Sequence, residues 1–533
     1  MRARAGRRGG ADGAGRAGSG GSSLTALTIR GFAWSFTGTV SQAMLQIVSM
    51  VVLARLLTPA QFGAAAAAGL VVGLCQVVSQ IGVGPALVQR RTLNDQEISA
   101  AFYCSLLFSA ALAGLLYALS PWLNQLVGLP SSSSLLRLLT VALVLAGAAA
   151  APMGLLQREL RFRSMAMVDL LSFGPATIGV GVVLAALGWG AVSIICGQIA
   201  GSLVTAVGYN ALARTPIRPA SPAAAWRSVR PLLRFGSGYS LSQLGNWFAL
   251  NADNFVVANV LGPGPLGLYS RAYNLLSQPA NVIGSAADKA LFPAMAKVRD
   301  DGERLRNAYV RSASLVALVT VPSSVVLFVL APEVVHVLLG DRWQAVVLPL
   351  RVFALVLLPR ASYKISGSLT RATGAVYGGA WRQWLYAGEV LAGCSIGARW
   401  GVNGVAVGAS AAIVLHFLVM LHFSARVAPG LMRTVLTMYV KHLPLAAVAF
   451  LGAQTAAVLV RPIGSALLTM LLTSIAWALA TALALVLLRR FFGDEIAIIA
   501  RTLRIRRLAT AGPDIETLAE PEVARPAGGA PPA

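Results

Sequence analysis

Apolar runs of about twenty residues follow one another along almost the whole chain, separated by short polar segments. At 1.5 Å per residue, a helix of that length crosses the hydrocarbon core of a bilayer. About fourteen such spans can be read, near 32–54, 62–83, 98–119, 135–156, 165–186, 190–210, 235–261, 265–293, 308–331, 344–370, 376–398, 402–424, 438–460 and 464–488. The pattern predicts an all-α, polytopic membrane protein.

One stretch of this pattern occurs twice. VLARLLTPAQFG (52–63) returns as VVANVLGPGPLG (256–267), so that Val52, Ala54, Leu57, Pro59 and Gly63 match Val256, Ala258, Leu261, Pro263 and Gly267 at a constant offset. Each copy closes one apolar run and opens the next. An even number of spans, six, separates the copies, which predicts a parallel repeat about an axis normal to the membrane. The expected organisation is a basic disordered start (1–27), a six-helix lobe (28–210), a cytoplasmic linker (211–234), a second six-helix lobe (235–424), two additional helices (425–490), and an amphipathic segment with a disordered tail (491–533).

Polar residues inside the spans fall on stripes. In the predicted seventh helix Tyr239, Gln243, Asn246 and Asp253 share a face. Stepping back by the repeat offset gives Ser35, Thr39, Gln42 and Ser49 in the first helix, where Gln46 completes the stripe. The eighth helix carries Arg271, Asn274, Gln278, Asn281, Ser285 and Asp288 on one side. The tenth carries Arg360, Lys364 and Arg371. A charge at mid-bilayer costs at least about 2.5–3.5 kcal/mol, so it turns toward a bundle interior or a watery cavity. Neutral amides and hydroxyls can also simply join helices. Asp253 and Arg271 lie toward the same end of adjacent helices and could pair. Arg360 and Lys364, one turn apart with no acid in their stripe, would favour an anion, and phosphate above all. Glu389 is a further mid-membrane charge without an assigned partner.

Composition agrees with a membrane protein: 533 residues, 56% hydrophobic and 12% charged, with a mean hydropathy of +0.71. The formal net charge of +24 raises the question of nucleic acid, but its placement answers it. Arg and Lys cluster at the N-terminus and in alternate loops, including Arg90–Arg91, Arg158–Arg163, Arg214–Arg234 and Lys297–Arg306, whereas 120–134 and 188–190 have none. This is the positive-inside pattern; it places both termini in the cytoplasm and implies no nucleic-acid partner. Cys75, Cys104, Cys196 and Cys394 all fall inside apolar runs without metal-ligand spacing, so neither a disulfide framework nor a zinc site is expected. No motif calls for a cofactor.

The segment NADNFVVANVLGPGPLGLYSRAYNL (251–275), with LARLLTPAQFG (53–63) and IGVGPALVQRR (81–91), resembles polysaccharide-exporting flippases of the multidrug/oligosaccharidyl-lipid/polysaccharide exporter superfamily. The resemblance covers roughly residues 28 to 490. It implies two six-helix lobes around a cavity in a bacterial inner membrane, and a cargo of sugars on a polyprenyl (pyro)phosphate carrier moved to the outer leaflet. It also implies contact with membrane lipids and polysaccharide-assembly proteins, and an ion gradient of H+ or Na+ as drive, although no single residue announces the ion. On that reading the stripes assign Arg271, Arg360 and Lys364 to the phosphate and Gln42, Gln46, Gln243 and Asn246 to the sugars, with Gln278 and Asp253 also expected at the substrate; the family segment itself reaches from Asp253 to Arg271.

Two other readings compete. A multidrug exporter of the same superfamily would want an acidic cavity for its cationic cargo, and the first predicted helix has no acid in its apolar run. A membrane glycosyltransferase, ligase or polymerase would need a sizeable external catalytic loop. The longest external loops, 120–134 and 332–343, offer at most Glu333, His336 and Asp341. The chain therefore reads as a transporter and not an enzyme.

Overall fold

The computed structural model describes residues 41–79, 83–84, 87, 93–129, 134–214, 243–298, 300–373 and 376–487. The predicted N-terminal segment, most of the linker and the C-terminal tail lie outside them. Among the described residues the chain is helical without strands. In order, the helices are α1 (Ser41–Leu56), α2 (Pro59–Ser79), α3 (Asp95–Leu126), α4 (Leu135–Arg158), α5 (Phe162–Ala186), α6 (Ala191–Ala213), α7 (243–256), α8 (Pro263–Lys297) and α9 (Gly302–Val329). Then follow α10 (Ala331–Leu338), α11 (Val347–Leu355), α12 (Leu357–Ala372), α13 (Val376–Gly397), α14 (Gly401–Val427), α15 (Leu431–Lys441), α16 (Leu443–Val460) and α17 (Ala466–Leu487).

This is a multi-pass membrane protein. Among the described residues, nine helices are long and apolar enough to cross a bilayer, or ten if the bent pair Asp341–Leu355 and Leu357–Ala372 is one span. The nine leave out α8, although it is 35 residues long. Its polar stripe lowers its hydropathy, as expected of a helix that lines a polar space rather than lipid. The expected total of about fourteen is not reached by this count.

The two copies of the repeat build the same helical hairpin by different local chemistry. In the first, Thr58 and Gln61 form a reciprocal cap on α2: the Thr58 N–H donates to Gln61 Oε1 at 2.9 Å and the Gln61 N–H to Thr58 Oγ1 at 3.3 Å. In the second, α7 runs through a π turn (Val257–Leu261) into Gly262 at φ 87°, and Pro263 opens α8. Glycine alone takes that backbone angle without strain, and proline is preset for the first helical position.

The hairpins then meet each other. A Cβ on Gly63 would fall on the Pro263 carbonyl, and a Cβ on Gly267 on the Pro59 carbonyl. These four residues are the repeat's own matched pairs, so the contact is reciprocal. The neighbouring positions repeat the relation. The Ala54 carbonyl accepts from buried Trp343 Nε1 at 3.0 Å, while its counterpart, the Ala258 carbonyl, lies against Gly128. Arg55 Nη2 donates to the Val337 carbonyl at 3.1 Å, and its counterpart Asn259 donates through Nδ2 to the Leu126 carbonyl. Each hairpin thus inserts into the other half, and the two seal one end of the molecule. By the charge alternation this is the predicted outer end.

Elsewhere small residues bring helices together, since apolar area gives no drive between helices in lipid. Gly393 and Gly397 of α13 lie backbone to backbone against Gly408 and Gly404 of α14. In α5 Pro175 sits inside a π-helical stretch, Ser172–Gly179. Thr177 Oγ1 satisfies the disturbed backbone there by donating to the Ser172 carbonyl at 2.9 Å, and Ser172 Oγ ties the stretch to α6 by donating to the Gly201 carbonyl at 2.8 Å.

The α16–α17 pair attaches to the second half. Trp477 Nε1 donates to the Pro322 carbonyl at 2.9 Å, and Arg461 holds Glu333 at 2.7 Å and the Val329 carbonyl at 3.0 Å. Glu333 is buried, so Arg461→Met would strand its charge. Stability in detergent should fall by roughly 1.5–3 kcal/mol, read as a lower thermal midpoint, and Glu333→Gln in the same background should recover most of it. Unchanged melting of the single variant would show the bridge to be dispensable.

Candidate functional site: a cavity between the two halves

α1, α2, α5, α6 and α8 enclose a cavity of about 340 Å³. The stripe on α1 contributes Gln46 and Ser49, and the stripe on α8 contributes Arg271, Asn274 and Gln278. Across the cavity, Gln278 Nε2 donates to Gln46 Oε1 at 2.8 Å, so the two stripes read from the sequence touch at these side chains. Arg271 is the one charged residue among the described lining residues. Its guanidinium sits over the Phe62 ring, 4.7 Å from the centroid, and its Nε is buried without a hydrogen-bond partner. A ring face favours the cation but accepts no conventional hydrogen bond, so the guanidinium keeps donor capacity for an anion.

Three polar stripe residues lie toward the opposite end from the sealed one. Gln42 is exposed one turn before Gln46 on α1, and Gln243 and Asn246 are exposed at the start of α7. The side chains of Asn281, Ser285 and Asp288, and all of Tyr239, lie outside the described residues.

Asp253 and Arg360 sit elsewhere, inside the second half. Asp253 is buried; its Oδ2 accepts from Tyr269 Oη at 2.9 Å and its Oδ1 from the Asn254 N–H at 2.7 Å. The pairing of Asp253 with Arg271 open to the sequence is therefore replaced: Asp253 takes Tyr269, and Arg271 takes the Phe62 face. Arg360 is 3% exposed and held in an aromatic cage. Its Nη1 donates to Tyr386 Oη at 3.0 Å, and its guanidinium lies 5.2 Å from the Tyr273 ring centroid and 6.0 Å from that of Tyr363. Lys364, one turn on, is half-buried.

Sequence reasoning missed part of the lining. Gln198 on α6 and Thr177 on α5 face the cavity. They also line a second cavity of about 570 Å³ within the first half, together with Gln76, Gln157, Ser202 and Tyr209. A lone Gln in the apolar run SIICGQIAG was a usable signal; Thr177 is presented by the π turn, which periodicity cannot show. A third, apolar gap of about 470 Å³ lies where Leu70 and Leu123 of the first half approach Trp247, Phe255 and Trp384 of the second.

Comparison with known proteins places this architecture. A family model described as "Polysaccharide biosynthesis protein" matches residues 52–348. The chain is 28% identical over 349 residues to the lipopolysaccharide biosynthesis protein WzxC of Escherichia coli (strain K12), across 66% of this chain and 70% of that one. Its fold is similar to that of the lipid II flippase MurJ in an inward closed conformation, with a TM-score of 0.69 at 16% identity over 86% of this chain and 99% of the other. An inward-facing multidrug resistance MATE family transporter of the MOP superfamily is also similar, with a TM-score of 0.59 at 18% identity over 74% and 96%. At such identities these structures speak to the fold alone. With more than half of its length matched by the family model, the chain belongs to the polysaccharide biosynthesis protein family and carries the fold of the multidrug/oligosaccharidyl-lipid/polysaccharide exporters.

Proposed function

We infer that this chain flips a polyprenyl-(pyro)phosphate-linked oligosaccharide from the cytoplasmic to the outer leaflet by alternating access of its two halves. It is a transporter rather than an enzyme. The observation that carries the cargo class is Arg271: a single cation with free donor capacity, in a cavity whose other described lining residues are neutral. A guanidinium in a sparsely hydrated space binds phosphate through charge-assisted, paired hydrogen bonds. The same lining disfavours a cationic drug, which sets the multidrug reading behind the glycan one.

The remaining geometry fits the rest of such a cargo. The side-chain amides of Gln46, Gln278, Gln198 and Gln157 offer the donors and acceptors that sugar hydroxyls need. The apolar gap between the halves leaves a path for a lipid tail beside the bilayer. In this reading Gln42, Gln243 and Asn246 meet sugars at a cytoplasmic entrance, Arg360 and Lys364 add positive charge behind α8, and Asp253 positions Tyr269. Both termini and the linker are cytoplasmic, and the two six-helix lobes, 28–210 and 235–424, are the moving units. Adjacent assembly proteins deliver and consume the cargo.

Purified protein in vesicles should carry a fluorescent lipid-linked oligosaccharide to the opposite leaflet, read by loss of quenching. Rates no higher than in protein-free vesicles, for several glycans on a phosphate-bearing polyprenyl carrier, would refute the reading.

A further inference from the structure

The cavity leaves unexplained a buried acid–base pair in the second half. Glu389 of α13 and His416 of α14 face each other, Glu389 Oε2 standing 3.8 Å from His416 Nδ1. The His416 side chain is 1% exposed and that of Glu389 8%. Both facing atoms are buried without a hydrogen-bond partner. A separation of 3.8 Å is too long for a hydrogen bond but needs only about 1 Å of closure to become one. With the ring proton on Nε2, the Nδ1 lone pair and the carboxylate oppose each other in an apolar setting. With a proton shared between them, the carboxylate–imidazole pair loses a negative charge and gains the missing hydrogen bond.

The groups around the pair join it to the transport cavity. From α13, Tyr386 stacks on the His416 ring, with centroids 4.2 Å apart. From α12, Tyr363 meets the ring edge-on at 5.3 Å, and Arg360 binds Tyr386 Oη; Lys364 lies one turn beyond. From α8, Tyr273 lies under Arg360 and stacks on Tyr269, which donates to Asp253 of α7. Cys394 is buried on α13. Arg351 of α11 instead turns to the Phe328 carbonyl and ring of α9. Arg360 thus reaches the pair through a single tyrosine, and its Tyr273 support is two residues from Arg271.

We propose that Glu389 and His416 form a proton-binding site that couples proton movement to the second half of the transporter. It rests on the transport reading above. The proton enters from water through Glu389, the less enclosed partner, and is held between Oε2 and Nδ1. It returns to water later in the cycle with no other bond changed. Binding removes a negative charge from beside the Arg360–Tyr386 contact, releasing or tightening the hold of Arg360 on Tyr273 and hence on the helix that carries Arg271.

The test uses the full chain in vesicles and two readouts. With ¹⁵N-histidine labelling, the chain's four histidines are resolved by solid-state NMR, and His416 is identified by its loss in His416→Gln. The His416 ring should change its protonation or tautomer across the accessible pH range, and Glu389→Gln should displace that transition while leaving the other three rings unmoved. In the flipping assay, a pH gradient of one polarity should speed the wild type several-fold; Glu389→Gln should lose that acceleration yet still flip without a gradient. A pH-insensitive His416 ring, or an acceleration that survives in both variants, would overturn the proposal. A wild type that flips nothing would remove the transport reading instead, and the His416 transition and its response to Glu389→Gln would still decide whether the pair binds a proton.

Discussion

Arg271→Met should abolish flipping of a lipid-linked glycan while leaving the protein folded and in the membrane. The reason lies in what Arg271 lacks. Its Nε is buried and unpartnered, no acid appears among the described lining residues, and its visible support is the Phe62 face. The folded protein therefore loses only a cation–π contact, about 0.5–2 kcal/mol, and sheds the cost of holding a desolvated charge. The thermal midpoint should be unchanged or higher. The phosphate loses two charge-assisted hydrogen bonds of about 1.5–3 kcal/mol each. At 1.4 kcal/mol per decade, that is roughly 10²- to 10⁴-fold in affinity. Arg271→Lys keeps the charge but not the planar fork and should fall between. Flipping rate and binding of the labelled lipid, measured on the same preparations, check this. A Met variant that flips at the wild-type rate would remove Arg271 from the site.

The second large effect is expected at the sealed end. Gly63→Ala and Gly267→Ala each place a methyl group on a carbonyl oxygen of the opposite hairpin. Because a backbone cannot yield as a flexible side chain does, the halves must separate there. Overpacking costs about 1–3 kcal/mol per site, which shifts an equilibrium between closed and open forms roughly 5- to 150-fold. The readout is a cysteine at Ala65, which lines the cavity, in a chain whose free cysteines Cys75, Cys104, Cys196 and Cys394 have been replaced. An impermeant maleimide added outside should label it faster in the alanine variants. Gly114→Ala, where an added Cβ meets nothing within 4 Å, should not change the rate. Equal labelling in all variants would mean that the hairpin contact does not govern closure. The Trp343 bond to the Ala54 carbonyl belongs to the same seal.

The stripes on α1 and α8 were legible because 3.6-residue periodicity groups side chains on one face, and because a polar face in a bilayer must turn away from lipid. Periodicity does not say which neighbour a face meets. The α8 stripe meets the cavity and α1, so Gln46 and Gln278 come together. The α12 stripe turns Arg360 into the aromatic cage of its own half. Both stripes look alike in the sequence. Likewise Glu389 stood out as an unassigned intramembrane charge, while His416, the group facing it, belongs to a separate apolar run and acquires meaning only through the Gly393–Gly408 and Gly397–Gly404 packing that brings α13 and α14 together.

The class of this protein was already legible along the chain: the all-α membrane architecture, the internal repeat and the helices that carry polar stripes. These follow from local quantities, namely run length, residue spacing and the cost of a charge in lipid. Only helix packing makes the repeated hairpins interlock through Gly63 and Gly267, turns Arg271 to the cavity while Arg360 lies in a cage, and brings Glu389 to His416. Those outcomes depend on which helix packs against which, and in lipid that choice rests on close backbone approach between residues far apart in the chain, a property no stretch of sequence carries on its own.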